Sequence, residues 1–129
     1  MVGVPEPGPC PCGLGESYVD CCGRFHGGAE AAPTAEALMR SRYSAFAVRD
    51  AAYLLRTWHP RTRPRRLELD PRQRWTGLEI VDRSGGGLFD QAGVVEFQAG
   101  YVIGKRPGTV RERSRFTRVD GHWVYLDAE

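Results

Sequence analysis

The sequence predicts an α+β fold, in which a small N-terminal metal-binding knuckle is followed by helices and then by an antiparallel sheet. Three observations support this prediction. All four cysteines lie before position 23. Apolar residues recur at helical spacing between positions 35 and 58, and from position 75 onward they alternate in runs separated by glycine-rich turns. A chain of 129 residues with 41% hydrophobic residues suits one compact domain with a small appendage.

The cysteines form two close pairs, at positions 10 and 12 and at positions 21 and 22. Thiolates at this spacing suit one tetrahedral zinc ion, because structural zinc sites take four Cys or His ligands. We therefore expect one structural Zn²⁺ per chain, bound by Cys10, Cys12, Cys21 and Cys22. Four protein ligands would fill the coordination sphere, so catalysis at the metal is not expected. Disulfides or free thiols remain an alternative, as does His26 replacing one cysteine ligand.

The segment around the cysteines is too short to form a core, so the metal would supply its folding energy. Positions 1–9, rich in proline and glycine, predict a loose leader. Gly13 and Gly15 allow the backbone to turn, and Tyr18 and Val19 are expected to pack the knuckle onto the rest of the chain. The predicted domains are 1–30 and 31–129.

Two helices are predicted after the knuckle. Thr34 is a good N-cap, and the apolar spacing after it predicts a helix at 35–49. Asp50 can cap a second, short helix, which Pro60 would end because the residue before a proline avoids the helical conformation. Positions 61–74 contain mostly arginine, proline and polar residues, and predict a loop.

Four strands follow, at 75–82, 94–103, 109–119 and 122–126. Asp120-Gly121 between the last two is a strong hairpin signal, and the whole pattern predicts an antiparallel meander. Alternation along the third strand places one set of side chains on the inner face and Arg111, Arg113 and Arg115 on the outer face. The inner set is Val110, Glu112, Ser114 and Phe116.

Several segments together resemble a known family. The cysteine spacing, with Gly13, Gly15 and Tyr18 between the pairs, resembles the SEC-C motif. Four further runs are similar to the bacterial YchJ family, namely LMRSRYSAF at 38–46, TWHP at 57–60, ERSRF at 112–116 and GHW at 121–123. The resemblance covers nearly the whole chain. It implies a SEC-C zinc knuckle attached to a nuclear transport factor 2-like (cystatin-like) cone, in which helices pack into a curved antiparallel sheet, and it implies no specific activity.

A cone of this kind often encloses a pocket, and the inner face of the third strand supplies polar groups to it. Glu112 and Ser114 would face Arg42, Tyr43 and His59 across the pocket. Because imidazole titrates near neutral pH, a pair of His59 and Glu112 could perform acid-base chemistry. The alternative is a buried network in which Glu112 bonds to Arg42 or Tyr43 without catalysis. The absence of a nucleophile motif and of a nucleotide-binding loop favours this alternative.

An arginine-rich segment offers a weaker hypothesis. Its arginines, flanked by Trp58 and Trp75, could bind phosphate groups of RNA through charge and stacking. A solvated loop is the simpler interpretation, because acidic residues elsewhere nearly balance the charge and the formal net charge is +2. The residues concerned are Arg61, Arg63, Arg65 and Arg66.

The function that the sequence favours is a non-enzymatic zinc-binding adaptor that binds a protein partner through its knuckle. The alternatives are a small-molecule binder or enzyme that uses the pocket and, more weakly, an RNA-associated protein. We expect a cytoplasmic location, because no apolar run approaches the length of a membrane span and the N-terminal residues do not resemble a signal peptide. We also expect a monomer or weak dimer, because the outer arginine row would repel its own copy unless acids intervene.

Overall fold

The computed structural model describes residues 8–129, so the predicted leader lies almost wholly outside the described residues. A 3₁₀ turn (Tyr18–Asp20) precedes three helices and four strands. The strands pair in the antiparallel order β1-β2-β3-β4, which confirms the predicted α+β meander. The elements are α1 (Cys22–His26), α2 (Ala35–Val48), α3 (Ala51–Arg56), β1 (Gln73–Gly85), β2 (Ala92–Ile103), β3 (Arg106–Val119) and β4 (His122–Ala128).

The long helix α2 begins and ends as its sequence predicts. The hydroxyl of Thr34 accepts a hydrogen bond from the backbone N–H of Ala37 at 3.0 Å, which satisfies one of the free N–H groups of the first turn. Arg49 ends the helix in the left-handed conformation, with φ of 60°. The predicted helix at 35–49 therefore agrees with the structure to within one residue.

The second predicted helix is shorter than expected. Asp50 caps α3 by accepting from the N–H of Tyr53 at 3.0 Å, but the helix ends at Arg56 rather than just before Pro60. The backbone after it pairs with β4 instead. The backbone carbonyl of Thr57 accepts from the N–H of Tyr125 at 2.8 Å, and the N–H of His59 donates to the carbonyl of Tyr125 at 2.8 Å.

The sheet curves around α2. The pairing of β1 with β2 is interrupted near Trp75 and again near Ile80, and such irregularities bend a strand. The concave face carries Val95 and Phe116, which are buried in a core that also contains Leu38 of α2. Alternation therefore predicted the inner face correctly.

On the outer face, carboxylates accompany the arginine row. Arg111 lies 2.8 Å from Glu96, and Arg113 lies 2.7 Å from Glu129. Arg115 lies 2.6 Å from Asp127. Because acids intervene, the arginines give no reason for two copies to repel each other.

In residues 8–129, no helix has the length and apolar content that crossing a membrane requires.

Candidate metal centre and ligand cavity

The structure brings the four cysteine sulfurs together. All four lie within 4.8 Å of one another, and each cysteine is at most 5% exposed. Tetrahedral coordination with metal–sulfur bonds of about 2.3 Å places sulfurs about 3.8 Å apart, and the sulfurs of Cys12 and Cys21 are 3.6 Å apart. A disulfide would need about 2.05 Å. The arrangement therefore fits one metal ion, and the four thiols are free.

Local backbone geometry places the two cysteine pairs. The N–H of Cys10 donates to the carbonyl of Glu16 at 2.8 Å, which closes the turn after the first pair. Gly13 and Gly15 lie in this turn with φ of 85° and 92°, a conformation that favours glycine. The second pair stands at the start of α1. This short helix was not predicted, because its five residues show no periodicity.

Contacts within the buried cluster shift the pKa values of Cys10, Cys21 and Cys22. Hydrogen bonds from the thiols of Cys12 and Cys22 hold the pKa of Cys10 well below its ordinary value. The reciprocal hydrogen bond to Cys10 raises the pKa of Cys22, and burial raises the pKa of Cys21 to about 12. Without a cation, the cluster therefore resists full ionisation. A bound divalent metal would let the remaining thiols release their protons.

The cluster is attached to α2 and belongs to the same hydrophobic core as the sheet. The hydroxyl of Ser44 lies 3.4 Å from the sulfur of Cys10, and Arg40 donates to the carbonyl of Cys12 at 3.1 Å. Leu38 and Met39 lie in the same core. The division at residue 30 remains a prediction, and in packing the two predicted domains are continuous.

His26 joins the knuckle to α2 rather than binding metal. Its Nε2 lies 2.8 Å from the carbonyl of Ser41, which can only accept, so Nε2 carries the proton. Its Nδ1, 2.5 Å from the hydroxyl of Tyr18, then accepts from that hydroxyl. Both nitrogens are engaged, and burial lowers the pKa of this imidazole.

The prediction that Val19 packs the knuckle onto the core was wrong, since this side chain is 49% exposed. Tyr18 does pack against the core.

The second candidate site is a cavity of about 280 Å³ between α2 and the concave sheet face. Four of the five predicted pocket residues line it, namely Arg42, Tyr43, Glu112 and Ser114. Most of the remaining wall is aromatic. Tyr125 was not predicted to line the cavity, and the alternation of Trp123 with Tyr125 in β4 was the available signal. Trp58 was predicted to flank the arginine-rich segment rather than to line the cavity. The other aromatic wall residues are Phe46, Trp75 and Phe97.

The fifth predicted residue, His59, is not among the cavity-lining residues. Its Nδ1 accepts from the backbone N–H of Arg61 at 3.0 Å, and its backbone is paired with β4. The structure therefore does not bring His59 and Glu112 together. The acid-base pair considered from the sequence is not formed.

Glu112 is held by partners within the sheet. Its Oε2 accepts from the hydroxyls of Ser114 at 2.7 Å and Tyr125 at 2.8 Å. Burial, followed by this hydrogen bond, raises the pKa of Tyr125, which therefore donates as a neutral phenol. The predicted network between Glu112 and Arg42 or Tyr43 is absent from the hydrogen bonds and ion pairs of residues 8–129.

Arg42 is buried, with 5% of its surface exposed, whereas Glu112 is partly exposed. Its Nη1 donates to the carbonyl of Leu54 at 2.8 Å and to the hydroxyl of Thr57 at 2.7 Å. The guanidinium carbon lies 5.1 Å from the centre of the Trp58 ring and 4.9 Å from that of Tyr125. Burial lowers the pKa of Arg42 to about 10, so it remains a cation at neutral pH.

The arginine-rich segment does not form a stacking surface with its flanking tryptophans. Trp58 and Trp75 both line the cavity. Arg63 donates to the carbonyl of Trp58 at 3.0 Å, and Arg66 lies 3.9 Å from Glu68. Of the two contributions considered for RNA binding, exposed charge is present, and the structure gives no support to stacking.

Comparison with known proteins identifies relatives of this arrangement. A family model for the middle, nuclear transport factor 2-like domain of YchJ matches residues 34–128. UPF0225 protein SCO1677 of Streptomyces coelicolor is 66% identical over 126 residues, which are 98% of each chain. The solution structure of RPA3114, a SEC-C motif containing protein of Rhodopseudomonas palustris, matches with a TM-score of 0.79 and 32% identity over 93% of this chain and 96% of that one.

A crystal structure of a SEC-C motif containing protein from Psychrobacter arcticus is also similar, with a TM-score of 0.74 and 29% identity, covering 92% of this chain and 80% of that one. The match to the Streptomyces protein spans 98% of this chain, so it extends over the segment that carries the cysteines as well as over the cone. The chain therefore belongs to the YchJ family.

Proposed function

We propose that this chain is a non-enzymatic zinc-binding protein, in which the metal has a structural role and the cone cavity binds a small molecule. One observation carries the proposal: Arg42 and Glu112, which have opposite charges, line the same cavity without pairing with each other. A cytoplasmic location, where thiols stay reduced, is part of the proposal.

Each charge is stabilised by two hydrogen bonds within the protein, but neither is neutralised by the other. Moving a charged group out of water costs several kcal/mol unless a counter-charge or hydrogen bonds compensate. A direct ion pair between Arg42 and Glu112 would give that compensation most simply. Few convergent polar groups in a mostly apolar cavity are instead typical of a ligand site.

The choice of zinc follows from the ligand set. Four thiolates in tetrahedral arrangement suit zinc better than the hard cations magnesium and calcium, which prefer oxygen ligands. All four positions are taken by protein, so neither water nor substrate has a place on the metal. The metal then serves to fix residues 8–26 against α2, which forms one wall of the cavity.

Two measurements test the proposal. Elemental analysis of the purified protein should return one zinc per chain, and a folded, metal-free protein with four titratable thiols would contradict the metal assignment.

A fragment screen observed by NMR should find molecules that shift the indole signals of Trp58 and Trp75. Val110→Phe, which narrows the cavity, should abolish those shifts, whereas the exposed change Val81→Phe should retain them.

A second candidate function is the protein adaptor favoured by the sequence. It is supported by two apolar side chains on the knuckle surface, Leu14 and Val19, which are 55% and 49% exposed. Affinity capture should then lose specific partners with Leu14→Ser and Val19→Ser. Cys21→Ser is the companion variant, because partners retained equally by it would indicate that the knuckle has only a structural role.

A further inference from the structure

The cavity contains hydrogen-bonding groups that the protein itself does not use. Glu112 accepts both of its hydrogen bonds through Oε2, and Oε1 has no partner among residues 8–129. Arg42 donates both of its hydrogen bonds through Nη1, and its Nε and Nη2 have no hydrogen-bond partner in the same part of the chain. One wall therefore offers a carboxylate acceptor and another offers guanidinium donors.

The charges of these two groups restrict what can bind. The charges of Arg42 and Glu112 sum to zero. Glu112 contacts the hydroxyl of Tyr125, and Arg42 contacts the face of the same ring. In a cavity lined mostly by apolar and aromatic residues, charges interact strongly because the dielectric constant is low. An anionic ligand would be attracted by Arg42 but repelled by Glu112, and a cationic ligand would be attracted by Glu112 but repelled by Arg42. A neutral ligand avoids both penalties.

The shape of the cavity restricts the ligand further. The cavity volume of about 280 Å³ lies just below the usual range of ligand pockets, so only a small ligand fits. Phe46, Trp58, Trp75 and Phe97 supply flat walls, and aromatic rings favour offset or edge-to-face contact with another ring. A planar ring system of one or two rings satisfies both the volume and the walls.

We propose that the cone binds a small, neutral, planar aromatic molecule, with an N–H or O–H group that donates to Glu112 Oε1 and an adjacent carbonyl or ring nitrogen that accepts from Arg42. This inference rests on the proposed function, since it specifies the ligand class for the same cavity. Tyr125 and Ser114 are positioning residues, because they orient the carboxylate through Oε2.

The test uses four bicyclic probes of similar size and the zinc-loaded protein. The probes are 2-quinolinone, which is neutral with an N–H beside a carbonyl, naphthalene, which has no polar edge, 2-naphthoate and 2-naphthylmethylammonium. Dissociation constants are measured from the NMR shifts of the tryptophan indoles. We expect 2-quinolinone to bind at least about tenfold more tightly than each of the other three probes.

A variant pair examines the role of the carboxylate. Glu112→Gln keeps the side-chain shape but places an amide N–H where Oε1 accepts, so 2-quinolinone should bind about tenfold more weakly and 2-naphthoate should gain affinity. The exposed change Glu79→Gln should alter neither. If Glu112→Gln fails to fold, Ser114→Ala provides the same comparison, with a smaller loss for 2-quinolinone.

The outcomes separate the ligand class from the cavity itself. If naphthalene or a charged probe binds as tightly as 2-quinolinone, the ligand class is wrong and the cavity remains a binding site. If none of the four probes shifts the indole signals, both the ligand class and the proposed function fail.

Discussion

The hydroxyl oxygen of Ser44 in α2 lies 3.4 Å from the sulfur of Cys10, and both side chains are buried. The cysteine cluster is therefore assembled on the helix and is not an independent appendage. A hydrogen bond to a metal-bound thiolate stabilises its negative charge, and such supporting partners affect metal affinity even though they do not touch the metal.

We expect Ser44→Ala to weaken binding of the proposed zinc ion by roughly tenfold, because the thiolate of Cys10 loses this donor. Competition with a chromophoric chelator measures the change. Ser84→Ala, an exposed serine of β1, is the matched control and should retain the affinity of the parent. Equal affinities for both variants would show that the contact has no role in holding the metal.

Cys22→Ser should remove the metal and lower the free energy of unfolding of the whole domain by several kcal/mol. The reason is that the sulfurs share one hydrophobic core with α2 and the sheet, so loss of the metal exposes that core. Zinc content and urea unfolding measure both effects. Leu14→Ser introduces the same residue at an exposed position of the knuckle and should change neither. If the variant and the parent have the same midpoint of urea unfolding, the cysteine cluster does not share its core with α2 and the sheet.

His26 predicts a pH dependence of stability. Burial lowers its pKa from the ordinary value of 6.5, so the folded state favours the neutral imidazole. Between the two pKa values the unfolded chain binds more protons than the folded chain, and the free energy of unfolding rises with pH. The stabilisation is fully present above pH 6.5 and is lost as the pH falls toward the folded-state pKa.

Urea unfolding in excess zinc, at intervals from pH 7.5 to pH 5.5, measures this slope. His26→Gln removes the titrating group and should flatten the curve over that range. His122→Gln, at an exposed position, is the control and should keep the parent's slope. A slope that persists in His26→Gln would assign the effect to other groups, such as the thiolates.

Gly93 and Gly77 predict opposite responses to the same substitution. A Cβ on Gly93 would lie 2.5 Å from the Cα of Gly86, a backbone atom that cannot move aside easily. We expect Gly93→Ala to destabilise the fold by about 1–3 kcal/mol. A Cβ on Gly77 meets nothing within 4 Å, so Gly77→Ala should be neutral or slightly stabilising. Thermal unfolding of the two variants side by side distinguishes them.

Features that depend on neighbouring residues were predicted well. Thr34 and Asp50 cap α2 and α3 as their side chains imply. Asp120 and Gly121 both have positive φ, at 53° and 82°, as the hairpin signal requires. Such features were readable because a cap or a tight turn is determined within four residues.

Features that depend on distant segments were predicted less well. The end of α3 was placed too late, because the backbone of His59 pairs with Tyr125, far along the sequence. The same pairing holds His59 outside the cavity. If α3 had continued to Pro60, as predicted, His59 would have been expected to face Glu112. The role of Tyr125 was missed for the same reason.

The sequence by itself determined the position of the four cysteines that could hold a metal ion, the caps of the helices and the face of β3 that carries Glu112 and Ser114. These follow from spacing and alternation, which are local properties of the chain. Only the tertiary structure decided that the cysteine cluster shares its core with α2, and that Arg42 bonds to the end of α3 while Glu112 bonds to Tyr125. Such partners are chosen by how separate elements pack, and the two charges consequently remain unpaired within one cavity.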